Sequence, residues 1–279
     1  MTFGADAAAG DHKTIEVRHE GGLVTIVLAR PRRLNALNPD MLSELLTVLE
    51  SVRSNRDVKV VVVTGQGRAF SAGVDLATPF FMENVESDSV FEGTRLLDQQ
   101  HELIMALHEL PQPSIAVING DAVGGGGLGL AMACDMRFAV STARFWMIPG
   151  QVNVVQDFGL TWQLQRCIGT ARTMELVFSG RRIDAVEARR IGMVNETFDD
   201  PDDLHAHVES VVSAVLGMGA DAGRMLKLVV RNGATSPLRE QLRMEAVANG
   251  LCFNSEEFRT AKENMLGRVT QPGVTTPQD

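Results

Sequence analysis

The chain has no tyrosine, and aromatic residues make up only 5% of its 279 positions, so no phenol is available to donate a proton. Cysteine is scarce: Cys134, Cys167 and Cys252 lie scattered in apolar surroundings without metal-ligand spacing, and buried thiols in a reducing cytoplasm are expected. Long hydrophobic runs are missing as well. Those present, such as the one within Val58–Val63, are strand-sized and fall short of the roughly 20 apolar residues a membrane span needs. The opening MTFGADAAAGDHK has no basic stretch ahead of an apolar one, so no secretory signal is expected and a cytoplasmic location is. Basic charge is in deficit, with 26 Lys and Arg against 35 Asp and Glu. The formal charge of −9, without a concentrated basic patch, disfavours nucleic acid as a partner.

What is present suits an ordinary folded enzyme. A hydrophobic content of 44% can bury a full core as one domain with an appendage. Residues 1–13 are small and polar and are expected to form a disordered tail. Thr14–His19 and Leu23–Leu28 read as strands, and Pro39–Val52 as an amphipathic helix with Asn38 as its N-cap. Val58–Thr64 reads as a buried strand and Phe91–Leu110 as a long helix ended by the PQP of Pro111–Pro113. Ile115–Ile118 forms another strand, so the recurring unit is strand, strand, helix. From Asp203 onward the pattern is helical only, over Leu204–Leu216, Ala222–Val230, Leu238–Leu251 and Glu256–Leu266.

Two segments carry chemistry. GRAFSAGVDL (Gly67–Leu76) and NGDAVGGGGLGLAMACD (Asn119–Asp135) each read as a hydrophobic strand that ends in small residues and leads into a helix. Such turns aim unpaired backbone N–H groups at one point, and two of them can form an oxyanion hole.

With ARPRRLNALN (Ala29–Asn38), SIAVINGDAVGGGG, LAMACDMRFA and SGRRIDAVEARRIGMVNE (Ser179–Glu196), these segments resemble, in this order, the enoyl-CoA hydratase/isomerase or crotonase superfamily from about Thr14 to Arg268. The resemblance implies an α/β fold, the ClpP-like crotonase spiral of ββα units over residues 14–200. It also implies a helical trimerisation region over residues 201–279, with trimers or pairs of trimers as the assembly. The substrate implied is an acyl-CoA thioester, with no cofactor apart from the coenzyme A the substrate carries. Val74, after the glycine of AGVD, takes the place of the first oxyanion donor, and the Ala72 carbonyl that of the oxygen holding the adenine amino group. Arg32, Arg33 and Arg268 stand where relatives contact the nucleotide, although each is equally well read as a solvated charge.

The glycine run departs from the family pattern by one extra residue. Counting forward from Asn119 makes Gly125 the second donor; counting back from Asp135 makes it Gly126, which is preferred because Leu130–Asp135 anchors the register. The two glutamates with which family hydratases position a water are absent. Their places fall on Gly129, or Leu128 by the other count, and on Pro149 or Gly150. Hydration is therefore disfavoured.

One acid remains in the region, Asp157, where several non-hydratase relatives carry a catalytic carboxylate. It opens an expected helix and is read either as its cap or as the proton shuttle of an isomerase. A rival reading follows the 4-halobenzoyl-CoA dehalogenases of the superfamily, in which the aspartate is a nucleophile assisted by a histidine. His101, eighteen residues before Asn119, lies at the matching distance but also reads as a surface residue of its helix. A non-catalytic CoA-binding protein is the third possibility. His205 and His207 diverge on a helix and are expected at the surface, Asp121 is read as a turn residue, and Trp146 and Trp162 as packing residues.

Overall fold

The valine-rich segments become adjacent strands in the computed structural model, which describes residues 12–78, 90–148 and 153–269. Strands β1 (Ile15–Glu20) and β2 (Leu23–Leu28) form an antiparallel hairpin. Helix α1 (Pro39–Ser54) starts where the Asn38 side chain accepts the Met41 N–H at 3.0 Å, with Pro39 at a position whose N–H would have no helical partner. Then come β3 (Val60–Gly65), β4 (Ala69–Ser71), α2 (Val90–His108), β5 (Ser114–Ile118) and β6 (Asp121–Val123). A wide π turn over Gly125–Gly129 runs into the short α3 (Leu130–Ala133). Strands β7 (Met136–Val140) and β8 (Arg144–Trp146) precede α4 (Leu160–Ile168) and α5 (Thr170–Ser179). Next are β9 (Ile183–Asp184), α6 (Ala185–Arg190) and β10 (Glu196–Phe198), and the chain closes with α7 (Pro201–Leu216), α8 (Ala220–Gly233), α9 (Leu238–Phe253) and α10 (Glu256–Val269).

The strands divide between two sheets. One has the order β1-β2-β3-β5-β7-β10 and is parallel from β2 onward; the other has the order β4-β6-β8-β9. After β3, β5 and β7 the chain steps from the large sheet to the small one, so each turn of the spiral lays one strand on each. Strands buried on both faces need near-continuous apolar runs, which Leu23–Leu28, broken only by Thr25, and Val60–Val63 supply. The fold is thus the expected α/β spiral of ββα units, followed by a helical C-terminal region.

Helix α8 is pinned to this core by charge. The half-buried Asp135 carboxylate receives the N–H and hydroxyl of Ser114 (2.8 and 2.9 Å), the Lys227 ammonium (2.7 Å) and the Arg231 guanidinium (2.6 Å). Burial alone would raise the Asp135 pKa, but Lys227, Arg231 and these hydrogen bonds outweigh it and hold the carboxyl below its ordinary range.

Several expectations are corrected. The helix expected to open at Asp157 starts three residues later, at Leu160. Of the cysteines only Cys134 is buried; its thiol is pushed up to about 12 by burial, whereas Cys167 is exposed and Cys252 half-buried. Trp162 is not packed inside either: it is 46% exposed, with the Arg166 guanidinium 3.6 Å over its ring. His207 is half-buried between Phe138 and Phe198 (4.8 and 5.1 Å between ring centroids) rather than at the surface.

Candidate active site

Sheet register brings the two loops together. In the small sheet β4 and β6 run parallel, with Ala69 beside Asp121 and Ser71 beside Ala122, so the chain leaves both strands at the same edge. Ala72–Val74 and Gly124–Gly126 therefore emerge side by side. The first loop is held from behind: Leu37 N–H donates to the Gly73 carbonyl (2.7 Å), Asp75 N–H to that of Leu37 (2.8 Å), and Ala72 N–H to that of Leu34 (2.9 Å). Gly73 has φ +95°, and a β-carbon there would lie 2.9 Å from the Val123 carbonyl, so only glycine meets both demands.

The extra glycine is absorbed as a π turn, the form a helix takes when one residue is inserted into a turn. This separates the two candidate donors. Gly126 lies against the first loop: a β-carbon on it would be 3.1 Å from the Val74 nitrogen. Its N–H falls in the opening turn, where helical amides have no acceptor within the helix. Gly125 faces the other way, and a β-carbon on it would be 2.1 Å from Oδ1 of Asp157. With the Gln156 side-chain amide turned so that its oxygen faces these donors, that oxygen accepts the N–H of Gly125 at 3.2 Å and of Asp157 at 3.3 Å.

Asp157 does not cap α4, because Gly159 stands at the N-cap and no side chain bonds the first turn. Burial raises its pKa above the ordinary carboxylate value, opposed by the charge of His101 and by its own backbone N–H. Phe158, fully buried, is held at φ +53°, a costly backbone state for a non-glycine residue. A β-carbon on Gly129 would lie 3.0 Å from that of Phe158, so the ring's own backbone occupies the room a side chain at 129 would need. His101 on α2 is half-buried, with its ring edge-on to Phe158 at 6.0 Å between centroids.

The remaining candidates lie apart. Arg32 and Arg33 are exposed on a 3-10 turn and line a surface hollow of about 310 Å³ with Ala29 to Pro31. The side chain of Arg268, and Pro149 and Gly150, lie outside the described residues. Asp121 sits in β6 rather than in a turn, and its carboxylate holds β8 through the Arg144 N–H at 3.0 Å. The sequence reading passed over the groups that brace the first loop. Arg30 bonds Asp75 at 2.8 Å, and the fully buried Asn35 donates to the Gln66 and Ala69 carbonyls at 2.9 and 2.8 Å. Both lie in the quoted motifs, but their partners are distant in sequence. Among the described residues no group of three or more His, Cys, Asp or Glu could hold a metal ion.

A cavity of about 650 Å³ opens elsewhere, between α8, α4 and the end of α3, lined by Trp162, Gln163, Met132, Leu226 and Val230. Volume alone would favour it as the site, but it contains neither the paired loops nor Asp157.

Two sheets in a ββα spiral, presenting backbone amides side by side next to a carboxylate, define a scaffold suited to stabilising charge on a carbonyl oxygen. The chain belongs to the enoyl-CoA hydratase/isomerase family, whose model matches residues 18–268. It is 33% identical over 247 residues to a crotonyl-CoA hydratase of Syntrophomonas wolfei, spanning 88% of this chain and 92% of that one. Its fold is similar to the crystal structure of an enoyl-CoA hydratase from Bacillus anthracis, with a TM-score of 0.84 and 29% identity over 92% and 97% of the two chains. It is also similar to a Thermobifida fusca chain assigned as an enoyl-CoA hydratase and solved with acetoacetyl-CoA, with a TM-score of 0.77 and 28% identity over 86% and 94%. The chain is accordingly an acyl-CoA-processing enzyme of this family.

Proposed function

We propose that this chain is an enoyl-CoA isomerase in which the N–H groups of Val74 and Gly126 receive the thioester oxygen and Asp157 is the single proton shuttle. When a proton leaves C2, charge moves onto the thioester oxygen, and two preorganised donors stabilise it without reorganising. Asp157 then returns the proton at C4, moving the double bond into conjugation, a task one carboxylate can perform. The observation that carries this reading is the seat of the Asp157 carboxylate: it lies on Gly125, one residue from the glycine that meets Val74, where burial raises its pKa towards a value useful for proton exchange.

The relatives named above are hydratases. The glutamates of that reaction are replaced here by Gly129 or Leu128 and by Pro149 or Gly150, and the space at Gly129 is taken by Phe158. Acetoacetyl-CoA in the Thermobifida fusca structure supports an acyl-CoA as substrate. In this reading the Ala72 carbonyl receives the adenine amino group, Arg32, Arg33 and Arg268 meet the phosphates, and no cofactor is needed beyond the coenzyme A of the substrate. The working form is a homotrimer or hexamer in the cytoplasm.

A second reading, a hydrolytic or dehalogenating enzyme with Asp157 as nucleophile and His101 as its assistant, is favoured by one observation: the His101 ring stands edge-on to Phe158, the residue next to Asp157, at 6.0 Å between centroids. Purified protein assayed with 3-enoyl-CoA, 2-enoyl-CoA and 4-chlorobenzoyl-CoA separates the readings. Isomerisation of 3-enoyl-CoA is expected, with kcat falling about 10²–10⁴-fold in Asp157→Asn. Full turnover by that variant removes the shuttle, and turnover of 4-chlorobenzoyl-CoA alone moves the assignment to the second reading.

A further inference from the structure

His101 is the polar group of this site that a single-carboxylate shuttle leaves without work. Its Nε2 is buried and has no hydrogen-bond partner, so it bonds neither oxygen of the Asp157 carboxylate although the two groups act on each other. A buried imidazole nitrogen left unpaired is costly, and at a ligand site it marks a bond that the ligand completes.

The contacts around it give a direction. Gly126 meets Val74, Gly125 carries Asp157 and touches Phe158, and Phe158 meets His101. An acyl chain whose thioester oxygen sits at Val74 and Gly126 therefore passes the Asp157 carboxylate at C2 to C4 and reaches His101 further along. A plain hydrocarbon there would press methylene groups against Nε2, whereas an oxygen would pair with it, since a neutral imidazole nitrogen can either donate or accept.

We propose that the acyl group this enzyme accepts bears a hydrogen-bonding oxygen, a keto or hydroxyl group at C5 or beyond, and that Nε2 of His101 is the atom that pairs with it. The inference rests on the proposed seat of the thioester carbonyl. Phe158 supplies an apolar neighbour and His101 a polar contact, the usual division of labour in a small-molecule pocket. Such a contact discriminates strongly, because an analogue lacking the oxygen leaves the buried nitrogen unpaired.

Unreactive thioesters test this without turnover. Hexanoyl-CoA, 5-oxohexanoyl-CoA, 5-hydroxyhexanoyl-CoA and 6-hydroxyhexanoyl-CoA are titrated into the full-length protein by calorimetry. At least one oxygenated thioester is expected to bind about tenfold or more tightly than hexanoyl-CoA. In His101→Phe that advantage is expected to fall below about twofold, and in His101→Gln, which keeps an amide able to donate and accept, to return in part. No preference in the wild-type protein overturns the proposal whether or not the variants fold. An equal loss of affinity for all four thioesters in His101→Phe also overturns it, leaving His101 a packing residue. Failure to isomerise 3-enoyl-CoA while the preference persists would retire the isomerase reading and leave this one standing. Isomerisation without the preference would do the reverse, and failure of all four to bind would retire both.

Discussion

As the proposed proton shuttle, Asp157 combines two demands that oppose each other. A carboxylate poised to exchange protons with carbon must be partly desolvated, and the same burial raises its pKa and makes its ionised form costly to the fold. The sign follows from linkage. Because the folded-state pKa lies above the unfolded value, the stability this group contributes is fully present below the unfolded pKa and is lost as pH rises through the folded one. Asp157→Asn should therefore melt at a higher temperature than the wild-type protein at neutral pH, with the gap closing in acid, while its turnover collapses. A thermal scan at pH 7 and at pH 3 to 4 measures this, and a variant less stable than wild type at pH 7 would mean that the carboxylate is a structural bond rather than a buried burden. Phe158 belongs to the same trade: its φ of +53° is strain held beside the proposed shuttle.

At the scale of elements, the π turn decides which glycine meets which partner. Had the extra residue been absorbed in the loop before Gly125, an ordinary helical turn would have followed, and Gly125 and Gly126 would not face opposite neighbours as they do. The clamp on α8 works by charge instead of geometry. Lys227 is 7% exposed at its side chain, so removing its partner leaves a buried ammonium uncompensated. Asp135→Asn is expected to cost about 3–5 kcal/mol, the usual penalty for breaking a buried pair from one side. Because the Asp135 pKa is lowered, the stability it contributes is present above the unfolded carboxylate value and is lost as pH falls through the lowered one. Urea unfolding of both proteins at neutral pH and in acid should show the difference shrink in acid; an equal difference at both would make the role one of packing.

The whole molecule leaves many large apolar side chains open. Phe178 on α5 is 82% exposed, and on the C-terminal helices Leu238 is 74% and Leu251 62% exposed, with Val247 and Met265 also open. Exposed apolar side chains in such number suit a contact surface, and the proposed homotrimer or hexamer would cover them. Light scattering should give three or six times the 30.3 kDa of one chain, and Leu251→Asp should shift that mass towards the monomer. A wild-type mass of 30.3 kDa would remove the proposal. Among the described residues no helix is long and apolar enough to cross a membrane.

Much of this was legible in the residues themselves. Apolar runs and alternation marked β1, β2, β3 and β5, Asn38 and Pro39 marked the start of α1, and the two glycine-bearing segments marked the loops of the site. These are local signals, carried by neighbours in the chain. The three-residue strands β4 and β6 were legible only as the apolar part of the two glycine-bearing segments, without bounds, and β8 was not legible, because so short a segment has no periodicity of its own and becomes a strand only when a partner pairs with it.

Sequence alone carried the family resemblance and the ββα units it implies, along with the reading of one surplus glycine and of two missing glutamates beside Asp157. Tertiary structure decided where the surplus went, that Gly126 meets Val74 while Gly125 carries Asp157, and that Phe158 fills the room beside Gly129. The physical reason is that backbone preference and hydrophobic period act over a few residues, whereas those contacts join segments far apart in the chain and exist only once the parallel register of β4 and β6 is set.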